Sequence, residues 1–156
     1  MKKELLFILL LCLFNCKTKK ESSNANSVNM ETIPSNLIAK GDLYGSGAEG
    51  IEAQNLIITN QNDWDTLKAQ MNSVNKVSDG FIETTIDFSE NTIIAVFDEV
   101  KGSGGHHLEL EITSNSKNIL VNITRVVPKG NATSVMTQPY HIIKTTKLKL
   151  PIKFLS

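Results

Sequence analysis

Residues 92–123 read TIIAVFDEVKGSGGHHLELEITSNSKNILVNI, and three patterns within them decide the fold. Thr92 to Phe97 is apolar without a break after its first residue, as a strand buried on both faces should be. His107 to Thr113 alternates, with Leu108, Leu110 and Ile112 on one side and Glu109 and Glu111 on the other. Ile119, Val121 and Ile123 repeat that alternation beyond the polar turn at 114–118. A period of two places one sheet face against a core and the other in water. The glycines at 102, 104 and 105 supply the turn between two of these strands.

Working toward the N-terminus, the only helical period lies at 64–72. Trp64, Leu67, Lys68 and Met71 fall on one face, interrupted only by Lys68. Asn62 or Asp63 is placed to cap the first amides, and Asp65 adds a negative charge where the helix dipole favours it. Ile51 to Thr59 reads as a strand. Ile38 to Gly50, with four glycines around Tyr44, reads as a strand broken by turns. Toward the C-terminus, Pro128-Lys129-Gly130-Asn131 is a turn, and Pro139 to Leu150 a further strand carrying Tyr140, Ile142 and Ile143. Pro139 has no N–H to give a ladder, so it is expected to open an edge or terminal strand. Pro151 and Ile152 to Leu155 complete the chain. The fold class is therefore α+β and β-rich, one helix packed on a mainly antiparallel sheet.

The first residues follow a different logic. Lys2 and Lys3 precede an apolar run from Leu5 to Phe14 of about ten residues, half of what a membrane-spanning helix needs. This is the pattern of a signal peptide, over 1–15. Leu13-Phe14-Asn15-Cys16 resembles a bacterial lipobox, in which Cys16 takes lipid and becomes the new N-terminus. Two or more acyl chains hold a protein at a membrane firmly, at about 0.8 kcal/mol per buried CH₂. Residues 16–36, polar and nearly free of aromatics, read as a flexible tether reaching about 25 Å. The folded domain is assigned to 37–156. The expected location is the cell envelope, lipid-anchored on the outer membrane, with the basic Lys17-Thr18-Lys19-Lys20 start favouring the periplasmic side.

Charge and cysteine content exclude several functions. The chain has 16 basic and 16 acidic residues, and setting aside Lys2, Lys3 and Glu4 leaves 14 and 15. No basic field draws nucleic acid. Cys12 and Cys16 are the only cysteines. The domain therefore has no disulfide framework, thiolate metal site or cysteine nucleophile.

Histidines carry the remaining chemistry. His106 and His107 are adjacent on a strand, so their side chains leave on opposite faces. His106 joins the Leu108 face at the rim of the core; His107 joins Glu109 on the wet face. His107, Glu109 and His141 would need paired strands to share a zinc ion, which takes three or four converging ligands. Ser103 lies three residues from His106, but no nucleophile elbow surrounds any serine. No catalytic residue and no cofactor is assigned.

Several landmarks recur in a familiar order. Asp63-Trp64, Ile86-Asp87-Phe88-Ser89, Thr92 to Phe97, Ser103-Gly104-Gly105, Pro128 with Gly130, and Gln138-Pro139-Tyr140-His141 together resemble the C-terminal domain of the PrcB family, from about Ile57 to Lys147. That family's namesake is a lipoprotein accompanying a secreted bacterial protease without being its catalytic subunit. The resemblance implies a non-enzymatic accessory role, with a protease or another envelope protein as partner. One departure is His106, where the family usually carries an aromatic residue. The candidate contact surface is Ser103, Gly104, Gly105 and His106 together with Gln138, Pro139, Tyr140 and His141. The alternative is a small-ligand or metal-binding domain using His106, His107 and His141.

Overall fold

A computed structural model describes residues 29–156. The expected signal peptide, Cys16 and most of the tether lie outside the described residues. The elements in chain order are β1 (Glu31–Thr32), β2 (Ser35–Leu43), β3 (Gln54–Ile58), α1 (Gln61–Met71), a 3₁₀ turn (Val77–Gly80), β4 (Asn91–Phe97), β5 (His107–Ser114), β6 (Ile119–Val126), β7 (Gln138–Thr146) and β8 (Ile152–Leu155). The α+β class expected from the sequence is what forms.

The strands build two sheets rather than one. A central sheet runs β2-β7-β4-β3, antiparallel throughout, and an outer sheet runs β1-β5-β6-β8. In the outer sheet only β6 and β8 are parallel. The layers are α1, central sheet, outer sheet. One core lies between helix and central sheet, around Trp64, Leu67, Met71, Ile93, Phe97 and Ile142. The second lies between the sheets, around Ile94, Val96, Leu108, Ile112, Val121 and Ile143. The central sheet is therefore covered on both faces, which explains the unbroken apolar run of β4.

The helix begins earlier than its apolar stripe suggests. Asn60 is the cap: its side-chain oxygen accepts from the Asp63 amide at 2.9 Å, and its Nδ2 donates to the Asp63 carboxylate at 2.7 Å. Trp64 stacks on Phe81, and its indole N–H donates to the Thr84 carbonyl at 3.3 Å. The buried ring thus satisfies its one polar atom.

Two boundary readings are corrected and one is given its limits. The segment assigned to a tether through residue 36 already contains β1 and the start of β2. Ile33 donates its amide to Ile112, and the Thr145 hydroxyl donates to the Pro34 carbonyl. One run of chain thus leaves the outer sheet and enters the central one at this corner. The segment 38–50, read as a strand broken by turns, is strand without a break to Leu43, with a bulge between Leu37 and Ala39, and its turns begin only at Gly45. Pro139 opens not an edge strand but β7, which pairs with β2 on one side and β4 on the other.

Candidate functional site

Pro139 organises one end of the molecule. The Asp98 amide donates to the Pro139 carbonyl at 2.9 Å. An antiparallel pair would return that bond from the opposing N–H, which proline lacks. Gln138 supplies the substitute: its Nε2 donates to the Asp98 carbonyl at 3.0 Å and to the Ile51 carbonyl at 2.8 Å. The Gln138 side chain is 1% exposed, so both bonds are made away from water. Gln138 thus ties the loop after β4 and the loop before β3 to the root of β7.

The loop 98–106 is fastened further along. Lys101 and Thr137 exchange both backbone hydrogen bonds, at 2.7 and 3.0 Å. The Thr137 hydroxyl donates to the Ser103 carbonyl at 3.3 Å. The Asp98 carboxylate accepts from Lys101 at 3.1 Å and Arg125 at 3.2 Å. Burial pushes the Asp98 carboxyl up, but the Glu99 amide, Lys101 and Arg125 together bring it below the ordinary aspartate range. Gly105 has φ +85°, and a Cβ there would stand 3.0 Å from Pro128. A left-handed backbone against a neighbouring ring leaves room only for glycine.

The expected site residues separate by depth. Ser103 and His106 are half-buried, the serine hydroxyl 3.3 Å from the His106 Nε2, with Gly104 buried and Gly105 exposed between them. Gln138, Pro139, Tyr140 and His141 are buried. They hold the loop end from beneath and do not face outward. Tyr140 points into the helix-side core, its ring 6.1 Å from that of Phe97. His141, weighed from the sequence as a zinc ligand with His107 and Glu109, is 7% exposed and turned toward the outer sheet. Its Nδ1 lies 2.8 Å from the Leu108 carbonyl, on the side of β5 that the two-residue β1 leaves open. Burial holds this imidazole below the ordinary histidine value, with Lys40 acting in the same sense and the Leu108 bond and Glu109 opposing.

Among the described residues, no relay of nucleophile, base and orienting acid is assembled around Ser103. Burial raises the Asp42 carboxyl, with Thr137, His106 and His107 acting in the opposite sense, while the His106 Nε2 is turned to Ser103. The three histidines also stay apart in role: His107 lies 3.6 Å from the Glu109 carboxylate at the surface, while His141 is committed to Leu108. Among the described residues, no three His, Cys, Asp or Glu side chains are grouped to hold a metal ion.

Sequence reasoning missed the apolar side chains that decorate this end. Tyr44 is 60% exposed, Val127 63% and Met136 48%, with Val135 beside them in sequence. Tyr44 follows Leu43, the register partner of Gln138, and a Cβ on Gly104 would meet Val135 at 3.3 Å. Their signal was available in the sequence. Val127, Val135 and Met136 are large apolar residues in polar turn segments, where no sheet alternation accounts for them.

No family model matches this chain, and no similar curated protein or solved structure was found.

Proposed function

We propose that this chain is a lipid-anchored bacterial envelope protein that acts by binding another protein and performs no bond-making chemistry. The contact surface is the loop end formed by 101–107 and 133–137 with Tyr44. The observation that supports this reading is the contrast at that end. Gln138 and Thr137 hold the backbone firmly from below, while Tyr44, Val127 and Met136 stand in water above it. Exposed apolar side chains on a pre-shaped frame bind without a large ordering cost. The envelope location rests on the leader and on Cys16. The PrcB resemblance names a protease or its complex as the class of partner.

Two measurements test the two halves separately. A photo-crosslinking residue at Met136 in intact cells is expected to capture a distinct polypeptide, and one at Leu150, on another part of the surface, is not. Identical adducts from both positions would refute the loop-end surface. Labelled palmitate is expected to enter the wild-type chain and not Cys16→Ala; equal labelling of the two would remove the anchor.

A further inference from the structure

Each sheet ends in strands whose outer backbone groups need an explanation, because an open edge invites another strand. Three of the four edges are guarded. β1 is two residues long. β8 is four residues long, follows Pro151 and carries Lys153. The outer side of β2 receives the Ile82 amide at its Ile38 carbonyl, 2.9 Å away, and carries Lys40, Asp42 and a bulge.

The fourth edge has none of these protections. β3, Gln54-Asn55-Leu56-Ile57-Ile58, pairs only with β4 and contains no charge, proline or bulge. Among the described residues, no hydrogen bond reaches its outward N–H and C=O groups. Ile57 is 42% exposed and Leu56 half-buried. Beside the strand, a hollow of ≈ 250 Å³ opens toward α1 between Leu56, Ile58, Thr66, Leu67 and Gln70.

We infer that β3 pairs with β3 of a second copy of this chain, antiparallel about a two-fold axis at Leu56. The segment is self-complementary in that register. Gln54 faces Ile58 of the partner subunit, Asn55 faces Ile57 of the partner subunit, and the two Leu56 side chains meet. A two-fold contact requires one patch to fit itself, and an uncharged strand does so with no like charges opposed. Beyond the strand, Glu52 falls opposite Asn60, so the register continues without repulsion. The two central sheets become one, and the unpaired edge groups find partners. A single strand pair buries less than the roughly 1,200 Å² of a standard interface, so association is weak and grows with concentration. This contact is independent of the loop-end surface proposed above and leaves it free in both copies.

Sedimentation of the full chain in density-matched detergent tests the pairing. The wild type is expected to pass from monomer to dimer as concentration rises. Ile57→Lys places a cation opposite Asn55 and next to a desolvating backbone, and is expected to raise the dimer dissociation constant at least tenfold. Asn55→Glu combined with Ile57→Lys creates two cross-strand ion pairs in the Leu56-centred register and is expected to restore most of the association. Both positions are exposed, and unchanged circular dichroism and melting confirm that the variants fold. A wild type that stays monomeric at every concentration overturns the inference and leaves the edge to a strand of another protein. An unaltered equilibrium in Ile57→Lys overturns it equally, as does a double variant no better than the single one.

Discussion

Gln138 is the residue on which the loop end depends most directly. Replacing it with Leu keeps the volume but leaves the carbonyls of Asp98 and Ile51 buried without donors. Each unsatisfied group costs about 1–3 kcal/mol. The urea midpoint should therefore fall by the equivalent of about 2–4 kcal/mol, and hydrogen exchange of the Lys101 and Thr137 amides should quicken. A loss confined to noise would show that the clamp is incidental. His141 predicts a pH dependence whose sign follows from its burial. Its folded-state value lies below the ordinary 6.5, so the unfolded chain takes up the proton first as the solution is acidified. The stability it contributes is complete above pH 6.5 and declines below it, until the folded form also protonates. Lys40, Glu109 and His107 are the charged neighbours of this ring, and the Lys40–Glu109 ion pair lies beside it. Urea midpoints measured from pH 8 to 5 should decline for the wild type and decline less for His141→Gln. Parallel declines in the two would assign the effect elsewhere.

Among the elements, α1 offers the cleanest test of local logic. Asn60→Ala removes the acceptor for the Asp63 amide and should cost about 1 kcal/mol, seen as a lower thermal midpoint with an unchanged spectrum. The Asp65–Lys68 pair on the same helix has its carboxylate in water, with Lys68 half-buried, and should matter little by comparison. The helix also shows what was readable from sequence. Its stripe of Trp64, Leu67 and Met71 was legible because burial selects those positions, while its start was not, because Gln61 and Asn62 touch no core. β4, β5 and β6 were legible for the same reason: each sorts its side chains by solvent. β2 was legible only in part: a strand and turns were read together over 38–50, and where the strand stops depends on its pairing with β7, whose Gln138 is the register partner of Leu43. Pro139 misled in a similar way: its position in a central strand depends on the Gln138 side chain standing in for the missing donor. The loop end itself was half legible. Ser103 to His106 and Gln138 to His141 were singled out from the sequence while Tyr44, Val127 and Met136 were not, and which residues face outward depends on how β7 sits between the layers.

At the scale of the whole molecule, the two cores share the central sheet, which should make unfolding a single event. Ile94 faces the outer sheet and Trp64 the opposite layer, yet Ile93 and Ile94 are neighbours on one strand. Ile94→Ala should lower stability by about 2–5 kcal/mol. Trp64 fluorescence, which reports from the other core, should shift its midpoint together with far-ultraviolet circular dichroism. Two separated transitions would mean that the layers melt independently. The same shared sheet gives the corner at Pro34 a mechanical meaning. A tug arriving along the chain ahead of residue 29 meets first a strand of only two residues, which can peel from β5 at small cost. The load is then turned through a bend before it reaches the nine-residue β2, the edge strand that β7 ties into the central sheet. Under such a load the corner would act as a strain relief, yielding slack at the surface before the cores are loaded.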